Sequence, residues 1–198
     1  MRCPAARLCL FALPLIAAAL PAHAADQPAT TPARDVDITY RVAGPPGAAS
    51  AEQRVRWDIG RGLERIDPPT PGLHIIVDAG HHRIASVRDA EKLAMEIDQS
   101  GVRPAGGDAA AHYTRRGSDT VAGLACGVWQ ADGSGAAPLL CFTDDGVLLR
   151  VAAAGQTVAE AVRVRYAPSQ AADFDIPDGY RRVVREPADP GQPSGTAP

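Results

Sequence analysis

Asparagine is absent from this chain, and lysine occurs once, as Lys92. Without asparagine there is no Asn-X-Ser/Thr site for N-glycosylation. The basic residues are therefore almost all arginine, which we interpret as the composition bias of a GC-rich bacterial genome. This bias favours a bacterial product.

Long apolar segments are lacking outside the first 24 residues. Residues 1–24 have Arg2 and Arg7 at the start, an apolar core over residues 8–20, and small residues around His23. This pattern is typical of a secretory signal peptide cleaved after Ala24, and a membrane anchor would need about 20 apolar residues. We predict a periplasmic or secreted protein with no integral membrane segment after cleavage; an uncleaved anchor is the alternative.

Positive charge is also scarce. Without the two arginines of residues 1–24, the chain has 18 basic and 23 acidic residues, a net charge of −5. Nucleic-acid-binding proteins usually carry a basic excess, and adsorption to an anionic membrane by charge alone needs one too. The composition therefore argues against both kinds of partner.

Only two of the four cysteines, Cys126 and Cys141, lie beyond the predicted signal peptide. In an exported chain they most simply form one disulfide, with a pair of free buried thiols as the alternative. A metal site is not favoured, because no second cysteine or histidine stands at ligand spacing. With 14 residues between them, the loop-closure model gives about 3 kcal/mol of stabilisation.

Catalytic motifs are missing as well. The sequence has no G-x-S-x-G, no phosphate-binding glycine loop and no C-x-x-C. The neighbouring carboxylates Asp144 and Asp145 are explained by a turn. Four histidines are predicted as surface residues: His74, His81, His82 and His112. We predict no catalytic residues, no metal, no cofactor and no enzymatic activity.

Alternating apolar residues dominate the remainder, as in residues 36–42, and predict β-strands. We predict a mainly β domain over residues 35–184, after a flexible linker (residues 25–34) and before a disordered tail (residues 185–198). Residues 73–88 are predicted to form a hairpin. Residues 89–97 fit either a helix or a strand, and their short length favours a turn followed by a strand.

Residues 117–166 are predicted to form a β-meander. Asp145-Gly146 indicates a type I′ turn, which would place Phe142 opposite Leu149 and Leu140 opposite Val151. If Cys126 faces Cys141, Val128 opposes Leu139. Residues 139–142 are apolar on both faces, whereas a sheet with one wet face should alternate. This strand therefore needs cover on both sides, from the protein itself or from a ligand.

Residues 174–180 carry the pattern Phe-x-Ile-Pro-x-Gly-Tyr, residues 123–126 read Gly-x-x-Cys, and residues 75–78 (IIVD) belong to the predicted hairpin as a short strand that contains Asp. In these segments the chain resembles small exported domains of the lipoprotein-carrier-like (LolA-like) half-barrel superfamily. The resemblance implies a curved antiparallel sheet, an incomplete β-barrel with at most one or two short helices. Its concave side would hold an acyl chain or a hydrophobic partner segment.

The predicted function is non-enzymatic binding of a hydrophobic, lipid-like ligand or of a cell-envelope partner. The candidate ligand-binding residues are Trp57, Leu140, Phe142 and Leu149. The alternative is a structural or protein-interaction module of the envelope with a filled core.

Overall fold

The described part of the chain is almost entirely β-strand. This computed structural model describes residues 27–99, 112–131 and 137–185. These residues form one short 3₁₀ helix, Ala171–Phe174, and twelve strands: β1 Val36–Val42, β2 Ala51–Asp58, β3 Leu63–Asp67, β4 Leu73–Asp78, β5 Arg83–Arg88, β6 Leu93–Asp98, β7 Tyr113–Val121, β8 Leu124–Ala131, β9 Leu139–Phe142, β10 Leu148–Ala153, β11 Gln156–Tyr166 and β12 Arg181–Arg185.

All twelve strands belong to one sheet, ordered β12-β6-β5-β4-β3-β2-β1-β11-β10-β9-β8-β7. Strands β1 to β6 follow one another through hairpins, as do β7 to β11, and β1 pairs with β11 in the middle. The sheet is curved and does not close. The predicted fold class, mainly β with an incomplete barrel, is confirmed. No helix of the described residues is long and apolar enough to cross a membrane.

The predicted signal peptide and the residues after 185 lie outside the described residues. Part of the predicted linker is described, and it contacts the sheet: the Ala33 N–H donates to the Asp145 carbonyl at 2.9 Å. The Gln27 amide exchanges hydrogen bonds with the Tyr113 backbone at 2.9 and 3.2 Å. Arg185, placed in the predicted tail, ends β12.

Two glycines lie in the turn of the β2–β3 hairpin. Gly60 and Gly62 separate β2 from β3, which pair antiparallel. Gly62 has φ +66°, a conformation that glycine adopts without strain, and its N–H donates to the Ile59 carbonyl. The Asp58 carboxylate accepts from the Arg61 N–H at 3.1 Å and completes the turn.

The ambiguous residues 89–97 form a turn and then β6, as favoured from the sequence. Lys92 holds φ +45° in that turn. β6 pairs antiparallel with β5 and, on its other side, parallel with β12. Pairing on both edges therefore stabilises residues 93–98 as a strand, whereas an isolated helix of this length would be unstable.

Cys126 and Cys141 form the predicted disulfide. Their Cα atoms are 5.5 Å apart, and both side chains are almost fully buried. The residues are diagonal rather than directly opposed, because Cys141 stands opposite Val128. The predicted pairing of Val128 with Leu139 is therefore wrong, and Leu139 lies opposite Gln130 instead.

The turn between β9 and β10 also differs from the prediction. Only Gly146 has a positive φ, so the turn is not type I′, which needs a positive φ at both central residues. The Thr143 N–H donates to the Val147 carbonyl across a three-residue loop. The register shifts between Leu148 and Arg150, which places Leu148, not Leu149, opposite Phe142. The predicted pairing of Leu140 with Val151 is confirmed.

Strand β9 is covered at one end only. Cys141 and Phe142 are buried, whereas Leu139 is 40 % exposed and Leu140 is partly buried. The expectation that neither face of this strand stays bare is wrong for Leu139. The partly open Leu140 belongs to the cleft described below.

Residues 167–180, which we call the strap, connect β11 to β12 and cross one face of the sheet. It includes the 3₁₀ helix, whose Phe174 is buried, and Ile176 and Tyr180 pack against a cluster formed by Ile76, Ala85, Val87 and Ala94. The Phe-x-Ile-Pro-x-Gly-Tyr pattern therefore anchors the strap. His74 stands opposite Val87 on the same face and is 4 % exposed, so its prediction as a surface histidine is wrong.

Candidate functional site

An apolar cleft of about 500 Å³ opens on the sheet face opposite the strap. Alternate residues of a strand share a face, and β1, β2, β3, β9 and β10 all turn apolar side chains to this one. The apolar walls are Ile38, Val55, Trp57, Ile66, Leu140, Phe142, Leu148 and Val151. The volume lies within the range of small-molecule pockets, about 300–1,000 Å³.

Three of the four candidate ligand-binding residues line this cleft. Trp57 comes from one side of it, and Leu140 and Phe142 come from the other. Leu149 does not line it, because the register shift in β10 turns this side chain into the fully buried core, where it packs with Cys141 and Val147. Leu148 takes the lining position instead.

The apolar surface continues beyond the cleft. Val77, Ile84 and Ile97 stand in register on β4, β5 and β6, starting opposite Glu64 of β3. We call these three residues the apolar row. Val77 and Ile84 are partly buried, and Ile97 is 37 % exposed. An apolar surface thus runs from the cleft to β6, beside the edge strand β12.

Tyr40 ties the two walls of the cleft together. Its hydroxyl donates to the Leu148 carbonyl at 2.6 Å, across the intervening strand β11. Burial, followed by the nearby Glu64 carboxylate, raises the pKa of Tyr40, so the hydroxyl keeps its proton. This bond joins β1 to the shifted segment of β10, and so links the two sides of the cleft.

Replacing Tyr40 by phenylalanine removes this bond and leaves the Leu148 carbonyl without its side-chain donor. We expect Tyr40→Phe to lower the free energy of unfolding by about 1–2 kcal/mol, the usual cost of an unmet buried hydrogen bond. Urea denaturation followed by circular dichroism measures it. Wild-type stability in the variant would show that the bond does not hold the walls.

Glu64 is the acidic group of the cleft. It sits opposite Trp57 in the β2–β3 pair, and its side chain lines the apolar cavity. Within the described part of the chain, no residue forms a hydrogen bond or ion pair with Glu64, and no arginine, lysine or histidine lines the cleft. Burial raises the pKa of Glu64 to about 7 from its ordinary 4.5.

Sequence reasoning missed Glu64, although a signal was present. In the strand Leu63-Glu64-Arg65-Ile66, Ile66 faces the cleft, so the residue two positions earlier must face it as well. A charged residue at an inward position of an alternating strand marks either a buried ion pair or a site. Here the described neighbours offer no counter-charge.

The strap side is, in contrast, rich in paired charges. Arg56 contacts the carboxylates of Asp67 at 2.7 Å and Asp173 at 2.6 Å, and the Arg65 guanidinium donates to the Asp173 carbonyl at 2.6 Å. Between strap and sheet lies a cavity of about 680 Å³. Its Glu96 has Arg83 and Arg182 within 3.7 Å. Arg56 and Arg65 therefore fasten the strap to the sheet through Asp173.

The remaining candidate groups are structural. Asp145 accepts hydrogen bonds from Thr143 at 2.6 Å and Tyr166 at 3.1 Å, and it pairs with Arg34. His81 and His82 lie at the exposed tip of the β4–β5 hairpin. Among the described residues, no three histidine, cysteine or acidic side chains are grouped so that they could hold a metal ion.

No protein-family model matches this chain, and no curated protein matches its sequence. Solved structures do. An uncharacterised conserved protein from Thermus thermophilus has a TM-score of 0.56 at 13 % identity, over 77 % of this chain and 91 % of that one. PNGF-II has a TM-score of 0.53 at 10 % identity, over 78 % of this chain and 31 % of its own.

MucB has a TM-score of 0.50 at 16 % identity, with 78 % of this chain and 61 % of MucB covered. Identities this low show the fold alone. The likeness to MucB supports a LolA-like fold for this chain. The class defined by fold and site is therefore an open β half-barrel with an apolar cleft on one face.

Proposed function

We propose that this chain is an exported, non-enzymatic binding protein that takes the apolar part of a lipid-like ligand into its cleft. The observation that carries the proposal is the cleft itself: about 500 Å³ of space between apolar walls on two sides of a curved sheet. Burial of apolar surface contributes about 25 cal/mol per Å², so a single alkyl chain gains enough to bind. The disulfide fits an oxidising compartment.

A partner protein is the second candidate, and the apolar row favours it. Val77, Ile84 and Ile97 extend the apolar surface past the cleft, which suits a segment longer than one alkyl chain. MucB is found in complex with MucA(peri). The two candidates differ in the part of the surface that the bound molecule would occupy.

Trp57 provides a direct signal for the test, because it lines the cleft and is only partly buried. Neutral 1-dodecanol, kept at monomeric concentration, should change the tryptophan emission in a saturable manner. Trp57→Phe should remove most of the change, since the other tryptophan, Trp129, stands opposite Leu140 but is 5 % exposed and does not line the cleft. Unchanged emission at saturation of solubility would contradict the proposal.

Strand β9 offers a matched pair of variants. Leu140→Gln places an amide in the cleft wall, and Leu139→Gln makes the same change one residue earlier, on the opposite face. We expect Leu140→Gln to weaken binding about tenfold or more, and Leu139→Gln by less than about twofold. If the two variants weaken binding equally, the ligand does not bind in the cleft. Cross-linking to an envelope protein tests the second candidate. If Ile97→Gln weakens this cross-linking and Leu140→Gln does not, the partner protein is favoured over the lipid-like ligand.

A further inference from the structure

The charge of the cleft narrows the class of ligand. Its described lining includes one carboxylate, Glu64, and no basic side chain. Glu64 stands between Trp57 of β2 and Val77 of β4, neither of which carries a titratable group. The other titratable groups that line the cleft are the phenols of Tyr40 and Tyr113.

Neither phenol neutralises Glu64. The Tyr40 hydroxyl already donates to the Leu148 carbonyl, and burial keeps it protonated. Tyr113, on β7, packs its ring edge against Phe142. The arginines of β2 and β3 are Arg54, Arg56 and Arg65. They lie at alternate positions on the strap face, where Arg54 pairs with Asp37, and Arg56 and Arg65 pair with Asp67.

A carboxylate without a counter-ion in an apolar cavity is costly unless a cation joins it or it takes up a proton. We propose that Glu64 selects a cationic ligand: a small amphiphile with one alkyl chain and one ammonium group, its chain against Trp57, Leu140 and Phe142 and its ammonium on the Glu64 carboxylate. This inference rests on the function proposed above. An anionic amphiphile, such as a fatty acid carboxylate, would meet a like charge.

The geometry also makes the selection dependent on pH. Without ligand, Glu64 holds its proton up to near pH 7. Binding of an ammonium group favours the ionised form, so the ligand must displace that proton when the pH is lower. The preference for a cation is therefore largest above pH 7 and declines as the pH falls below it.

Three amphiphiles of equal chain length test the inference: dodecylammonium, 1-dodecanol and dodecanoate, each at monomeric concentration, with Trp57 emission as the readout. At pH 8 we expect dodecylammonium to bind at least about tenfold more tightly than 1-dodecanol, and dodecanoate more weakly than both. At pH 5.5 the preference for dodecylammonium over 1-dodecanol should fall to about threefold or less.

Glu64→Gln keeps the size and removes the charge, so this variant should bind dodecylammonium and 1-dodecanol within about twofold of each other at both pH values. Glu52→Gln is the control: Glu52 is exposed and precedes Gln53, which lines the cleft, so it points to the opposite face. It should keep the wild-type preference.

The outcomes separate the two proposals. Equal binding of all three amphiphiles by wild type, or a preference that survives Glu64→Gln, would overturn the role of Glu64 and leave the binding cleft intact. If no amphiphile binds at either pH, the binding function itself fails. A preference for dodecanoate would overturn the proposal, because the cleft would then select an anionic ligand and not a cationic one.

Discussion

Replacement of both Cys126 and Cys141 by alanine is expected to lower the free energy of unfolding by about 3 kcal/mol. The disulfide closes a loop with a sequence separation of 15 residues, and removing it restores the entropy of that loop to the unfolded chain. The two cysteines sit in the larger core cluster beside Val147 and Leu149, so a small packing loss adds to the effect. Urea denaturation of both proteins under oxidising conditions measures the difference.

Reductant supplies the control for this prediction. Dithiothreitol during unfolding should destabilise the wild type by a similar amount and leave the double variant unchanged. Alkylation of the oxidised, unfolded protein should add no mass at Cys126 or Cys141. A double variant as stable as the wild type would mean that the disulfide does not reduce the conformational entropy of the unfolded chain.

Glu64→Gln is expected to stabilise the ligand-free protein by roughly 3 kcal/mol at pH 8 and to have little effect at pH 4.5. Burial raises the pKa of Glu64 from 4.5 to about 7, and each unit of pKa corresponds to about 1.4 kcal/mol. The folded state therefore binds the Glu64 proton more tightly than the unfolded state does. Wild-type stability declines as the pH rises from about 4.5 to above 7.

Urea denaturation at intervals between pH 4.5 and pH 8.5 tests this linkage. The difference between Glu64→Gln and wild type isolates the Glu64 contribution, because other titrating groups cancel. Glu52→Gln should follow the wild type throughout, since Glu52 is exposed. A pH-independent difference for Glu64→Gln would show that the carboxylate is ionised in the folded state at little cost.

The sequence predicted the strands well where apolar residues alternate, as in β1, and where turn residues separate two such runs, as around His81 and His82. It failed where the chain departs from regular geometry. A one-residue register shift leaves no trace in the pattern of Leu148 and Leu149, yet it decides which leucine reaches the cleft.

Trp57, Leu140 and Phe142 could be predicted as candidate site residues from their apolar character, Trp57 on an alternating strand and the other two on a strand that is apolar on both faces. Glu64 could not be assigned in the same way, because a glutamate on a strand is usually solvated. Its alternation with Ile66 indicates an inward position, but the lack of a counter-charge beside it shows only once Trp57 and Val77 are known to flank it. The site thus depends on pairing across three strands, which local patterns do not encode.

The parallel pairing of β12 with β6 could not be predicted from the sequence either. It joins Arg181 to Leu93, residues far apart in the chain, and requires the strap to cross the sheet. Its two valines, Val183 and Val184, are too short an apolar run to specify a strand, its partner or its direction. The Phe-x-Ile-Pro-x-Gly-Tyr resemblance pointed to the segment but not to its path.

The strap has a consequence for the order in which the domain is completed during synthesis. A ribosome makes β1 to β6 first, yet the cluster around Ile76 and Val87 lacks its cover until Ile176 and Tyr180 emerge. The central strand β1 likewise waits for β11. Nascent chains should therefore stay incompletely folded until nearly all described residues have left the exit tunnel, a state that would suit the export proposed above.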